Sequence, residues 1–240
     1  GLSTVYRYTF SMDQALKEKF INAVASHAIF RGWSNDSLKE ACKDLDLEFR
    51  TLKTLFPRGV LDVAVAFHRM GDRDMIKALE SEDLSNLKMR EKISFAVKCR
   101  LNVIAGDKES VRLCMSFFAL PQNFLDGSKL IWGTADKIWN VLGDDSEDYN
   151  FYTKRATLSG VYSSVILFWL GDDSEGNTST WEFLDRRIQN IMQFENLKAR
   201  IKKKSSTYEV LKGPIKLFSR IKRPLDKNTL NLPGVVKNSD

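Results

Sequence analysis

The sequence predicts an all-α protein. Apolar residues recur at three- and four-residue intervals through nearly every segment, no stretch alternates as a half-buried strand does, and only five prolines and 13 glycines interrupt the 240 residues. Residues 13–30 place Leu16, Phe20, Ala23, Val24, His27 and Ala28 on one stripe, with Ser11 as the N-cap and Gly32 as the stop. Short helices follow at 36–44 and 48–56, around a tight turn at Leu45-Asp46, and Pro57 with Gly59 breaks the second. A longer helix covers 60–79. Another covers 87–105, with Met89, Ile93, Ala96, Val97 and Leu101 inward and Gly106 closing it. Residues 109–120 are strongly apolar up to Pro121, residues 124–142 carry Trp132, Ile138 and Trp139, and 148–169 form a central helix.

Two strings echo each other, Leu142-Gly143-Asp144-Asp145-Ser146-Glu147 and Leu170-Gly171-Asp172-Asp173-Ser174-Glu175. A calcium loop needs alternating oxygen ligands, a central Gly and a closing Glu, which neither string has. Helix stops followed by caps are expected. The longest apolar run, 165–170, is far short of the about 20 residues that cross a bilayer. Three scattered cysteines, Cys42, Cys99 and Cys114, suit a reducing compartment better than a disulfide framework.

Charge is unevenly placed. Between Glu195 and Lys227, eleven basic side chains against three acidic ones give +8, so the rest of a +6 protein carries −2. An anionic partner is therefore expected at the C-terminal segment. There Val210, Leu211, Pro214, Ile215, Leu217, Phe218 and Ile221 fall on one side of a helical wheel, opposite Lys212, Lys216, Ser219, Arg220 and Arg223. Such a basic amphipathic helix lies in a membrane interface, each cation adding about 1 kcal/mol near anionic lipid. Lys212, Ile215, Lys216, Leu217, Phe218, Arg220, Ile221, Lys222 and Arg223 are its candidate membrane contacts, and Pro224 stops it. Packing of the same helix on a partner subunit is the alternative.

No catalytic or metal-binding set is recognisable. His27 and His68 fall on separate amphipathic helices with no carboxylate or cysteine at ligand spacing, and no phosphate loop or nucleophile elbow occurs. His27 reads as a packed histidine with a local hydrogen bond, and Arg69, Asp72, Arg73 and Asp74 as ion pairs on a solvated face. The N-terminal helices could form a helix-turn-helix, with Arg50 and Lys53 on the reading helix. From 36 to 58, however, five cations meet five anions, and a neutral surface gains no counterion-release energy from phosphates. A scaffold without nucleic-acid binding is expected.

The second half is rich in bulky apolar side chains, while the central helix interleaves Ala156, Ser159, Gly160, Ser163 and Ser164. Small side chains facing large ones let helices spread around a cavity for a long apolar ligand; a solid core is the competing reading. Phe117, Phe118, Leu125, Trp132, Trp139, Leu158, Tyr162, Val165, Phe168 and Trp169 are the candidate lining.

The run from Asp148-Tyr149-Asn150-Phe151-Tyr152 through Lys154-Arg155-Ala156-Thr157-Leu158 to Gly160-Val161-Tyr162-Ser163-Ser164 resembles the signature helix of the coenzyme Q (ubiquinone) biosynthesis family of the ninth Coq protein. Gly32-Trp33, Phe56-Pro57-Arg58-Gly59, Leu120-Pro121-Gln122-Asn123 and the run from Trp181 to Arg187 agree in order. The resemblance implies a TetR-like fold that binds an isoprenoid quinone precursor or a phospholipid and presents the precursor to the di-iron hydroxylase of the pathway. It implies no cofactor beyond the lipid, a homodimer, and a peripheral place on the inner membrane, at a bacterial cytoplasmic or mitochondrial matrix face. The family's hydroxylase patch falls on Asp136, Ile138, Val141, Asp148, Phe151 and Tyr152, with Phe151 where many relatives have Trp, and Arg155 is expected to pair with the adjacent acidic loop. A TetR-type ligand-responsive DNA-binding regulator remains the alternative. The expected parts are a helix-turn-helix-like portion at 1–58, a lipid-binding helical domain at 59–204, a membrane helix at 205–224 and a flexible tail at 225–240.

Overall fold

The computed structural model describes residues 2–204, and among them the regular elements are all helices. They are α1 (Leu2–Arg31), α2 (Asn35–Asp44), α3 (Leu52–Leu55), α4 (Val60–Glu80), α5 (Met89–Asn102), α6 (Lys108–Ala119), α7 (Phe124–Val141), α8 (Tyr149–Leu170) and α9 (Thr178–Lys204). The expected membrane helix at 205–224 and tail at 225–240, with all nine candidate membrane contacts, lie outside the described residues. Among the described helices none is long and apolar enough to cross a membrane.

Most boundaries follow local chemistry. Gly32 adopts a φ of 69° and donates its N–H to the Ala28 carbonyl at 2.8 Å, which ends α1. Ser34 caps α2, and the turn behind α2 puts Asp46 at a φ of 51°. Gly59, at a φ of 65°, starts α4. Lys88 donates its backbone N–H to Glu91 Oε2 at 2.7 Å at the head of α5. Asp148 accepts the Asn150 N–H at 2.9 Å at the head of α8.

Three elements depart from the sequence pattern. Helix α1 begins at Leu2 and runs through Ser11 instead of starting there, because no Gly or Pro between 2 and 13 interrupts it. The helix expected over 48–56 is reduced to a 3-10 turn at Phe49–Thr51 followed by the single turn of α3, held down by buried Leu52 and Phe56. Helix α9 is unannounced in the sequence, since its many charges dilute a core-facing stripe of Thr180, Leu184 and Ile188 with half-buried Trp181, Phe183 and Ile191. The second echo string starts it: Asp172 Oδ2 accepts the Thr180 N–H at 3.0 Å and the Thr180 hydroxyl at 2.6 Å.

One core runs from Phe20 to Ile188, continuous across the expected boundary at 58. Phe20 stacks on Phe56 at 5.6 Å, and Trp33 lies on Phe67 at 5.2 Å while its indole N–H donates to the Ser110 carbonyl. Side chains such as Val24, Met75, Leu101, Ile138 and Leu184 are fully enclosed, each contributing about 1.5–3 kcal/mol of burial. Helix α7 packs on both α4 and α8. His27 is bonded to Asp44 Oδ2 of α2 at 2.6 Å, so its partner is tertiary and not the local one expected.

Candidate functional site

Helices α4 to α8 surround a cavity of about 440 Å³, within the range of small-ligand sites. Ile104, Val111, Met115, Phe118, Ile131 and Ile166 form its apolar walls. Ser159, Gly160 and Ser163 line it from α8, three of the five small residues whose spacing anticipates an opening there. Ala119, Phe124, Ser128 and Gly160 are exposed and mark its mouth. Close approach of α6 and α7 depends on Gly127, where an added Cβ would lie 2.8 Å from Phe118 Cβ.

Of the ten candidate lining residues, only Phe118 and Tyr162 reach this cavity. Trp139, Leu158, Val165 and Trp169 are core residues, and Trp139 and Trp169 also sit beneath Lys154 and Lys108 respectively. Phe168 stacks on Phe183 of α9 at 4.5 Å, and Phe117 meets Phe118 edge-on. Trp132 lies against Tyr152, and Leu125 is 66% exposed outside the pocket. Aromatic bulk served mainly to fill the interior. Phe67, His68 and Arg100 complete the pocket from α4 and α5, none of them among the ten candidates.

The floor is charged. Asp72 is 1% exposed and accepts from Arg100 Nε at 2.8 Å, from Lys137 Nζ at 2.9 Å and from the Thr134 hydroxyl at 2.7 Å. The expected solvated run at 69–74 is thus corrected at its centre. Helical period turns Asp72 inward, one turn from His68, while Arg73 pairs outward with Glu18 and Asp74. A carboxylate therefore does stand beside His68, 3.7 Å away, although no cluster among the described residues could hold a metal ion. Burial opposes the Asp72 charge, but Arg100 and Lys137 beside it hold its pKa below the usual carboxylate range.

His68 Nε2 lies 2.8 Å from Thr134 Oγ1. Because that hydroxyl donates to Asp72, its oxygen accepts from a neutral His68 ring. Burial, reinforced by Arg100, pushes the His68 pKa down to about 3. The ring stays uncharged when folded but takes a proton below about pH 6.5 when unfolded, so stability is full above that value and declines as pH falls toward 3. Between pH 7 and pH 5 the wild type is expected to lose about 2 kcal/mol more than His68→Gln, read from urea unfolding at each pH. Equal losses would place the ring in an environment that accepts its charge.

A second buried cluster joins α7 to α8. Arg155 is 0% exposed, with Nε 2.6 Å from Asp136 Oδ1, Nη1 2.8 Å from Asp144 Oδ2 and Nη2 3.2 Å from Asn140 Oδ1. Its guanidinium lies 3.7 Å from the Phe151 ring centroid. Asp144, from the first echo string, also receives Lys154 and Ser146. Burial disfavours its charge, yet these donors keep its pKa far below normal. Arg155 does pair with the acidic loop as expected, and with α7 as well.

This cluster bears on the expected contact patch. Ile138 is 0% exposed and Phe151 only 7%, so Ile138 belongs to the core and offers no contact surface. Asp148 is exposed, whereas Asp136, Val141 and Tyr152 are half-buried.

Comparison with known proteins matches residues 125–195, from α7 into α9, to the COQ9 family model. The chain is 29% identical over 184 residues to the probable ubiquinone biosynthesis protein coq9, mitochondrial, of Dictyostelium discoideum, covering 74% of this chain and 60% of that protein. It is 29% identical over 194 residues to COQ9-B of Xenopus laevis, covering 78% and 66%, and 25% identical over 209 residues to COQ9 of Homo sapiens, covering 84% and 64%. The chain thus spans less than two thirds of the length of these relatives. The crystal structure of a TetR transcriptional regulator from Nitrosomonas europaea superposes with a TM-score of 0.58 at 16% identity, over 73% of this chain and 97% of that one. The architecture is all-helical and TetR-like, and in sequence the chain is similar to the COQ9 ubiquinone biosynthesis proteins.

Proposed function

We propose that this protein is a non-catalytic accessory factor of ubiquinone biosynthesis that holds an isoprenoid quinone precursor, or a phospholipid, in the α4–α8 pocket. The observation that carries this reading is the apolar cavity of about 440 Å³ flanked by small α8 residues, in a chain similar to COQ9 proteins. Its work is peripheral to the inner membrane, the basic segment at 212–223 binding anionic lipid, and the names of its relatives favour the mitochondrial setting. Delivery goes to the di-iron hydroxylase across the exposed part of the α7–α8 surface around Asp148 and Tyr152. The regulator reading is disfavoured because α3, where the reading helix would be, is a single turn of four residues.

Mass spectrometry of lipid carried through purification tests the proposal directly. An isoprenoid or phospholipid at near-stoichiometric amounts is expected, and a lipid-free protein that takes up none from vesicles would overturn it. Gly160→Leu supplies a structural control. Open space surrounds a Cβ at 160, and removing a helical Gly favours the helix by up to about 1 kcal/mol. The variant is expected to melt no lower than wild type while carrying several-fold less lipid.

A further inference from the structure

The pocket floor holds two buried polar groups that lack a partner within the protein. Arg100 is 2% exposed; its Nε donates to Asp72 and its Nη2 to the His68 carbonyl at 2.9 Å, but its Nη1 meets no acceptor. Tyr162 is 0% exposed and its hydroxyl is likewise unmatched. Both residues line the same cavity. Native interiors leave few such groups orphaned, because an unmatched buried donor forfeits its hydration without return.

The electrostatics specify what would match them. Asp72 lies behind the lining and is already engaged by Arg100 Nε and by Lys137, beside a neutral His68. The floor therefore offers the cavity two unmatched O–H or N–H donors, which suit an acceptor oxygen. The guanidinium lies flat against Gly71, where any Cβ would collide with it, so α4 shapes the floor around this side chain.

We propose that Arg100 Nη1 and Tyr162 Oη form a head-group subsite for a lipid that enters polar end first. Its carbonyl, phenol or carboxylate oxygen sits between the two donors, and its apolar tail runs along Phe118, Ile131 and Ile166 toward the mouth at Phe124. This rests on the pocket being the lipid site, and it adds that the site reads the head and fixes the direction of the tail. Delivery then requires the lipid to withdraw tail first.

Calorimetric titration of the delipidated full chain with three probes of equal tail length tests it: farnesene, farnesoic acid and 2-farnesylphenol. The two oxygen-bearing probes are expected to bind at least tenfold more tightly than farnesene, and the tighter of them identifies the head chemistry. Tyr162→Phe removes only an unmatched hydroxyl, so it is expected to fold normally, cut that preference several-fold and leave farnesene unchanged. Arg100→Lys, checked by melting, is expected to act in the same direction. Equal binding of all three probes, unaffected by Tyr162→Phe, would overturn the subsite while leaving the pocket as an apolar site. No binding of any probe would overturn the pocket reading itself.

Discussion

Replacing Asp72 by alanine is expected to destabilise the protein by about 3–5 kcal/mol, the cost of leaving a buried charge without its partner. Arg100 would keep its guanidinium at 2% exposure with only the His68 carbonyl as acceptor, and Thr134 would lose the carboxylate that orients its hydroxyl. Lys137, at 35% side-chain exposure, can turn to solvent, so the penalty falls on Arg100. Denaturant unfolding measures it. The double replacement Asp72→Leu with Arg100→Met is expected to regain much of the loss, since paired buried ions often exchange for apolar residues at little cost. A single variant as stable as wild type would show that Arg100 finds another acceptor.

Arg155→Ala is expected to cost a similar amount, about 3–5 kcal/mol. The arginine is wholly enclosed and joins Asp136 and Asn140 of α7 to the Asp144 loop while lying on Phe151. Asp144 would retain Lys154, but Asp136 would face a hollow. Arg155→Lys keeps one charge without the planar fork, so it should fall between wild type and alanine. The midpoint of urea unfolding reports the order. Alanine and lysine variants of equal stability would show that the fork geometry contributes nothing.

The architecture was legible because helical period and helix stops are local signals. Gly32, Gly59 and Pro121 mark turns by backbone chemistry alone. Helix α9 was not, because most of its length lies outside the core and its pattern is diluted. The cavity was foreshadowed by Ser159, Gly160 and Ser163, whereas its lining was misassigned. Aromatic richness identifies what is buried but not which buried atoms face a void, and Trp139 and Trp169 simply pack. The charged floor did leave a trace. Arg100 falls on the same inward stripe as Ile93, Ala96, Val97 and Leu101, a place where a cation needs a buried anion. Asp72 supplies it from a distance of 28 residues, which no local window reveals.

Helix α8 is fastened at both ends. Arg155 locks its first turns to α7, while Arg112 and Lys108 of α6 hold the Leu170 and Asp172 carbonyls at 2.6 and 2.9 Å. With that wall tied at both ends, the freer rim of the cavity mouth is the α6–α7 corner, where the chain bends at Leu120-Pro121 and shows Phe124 and Leu125 to the outside.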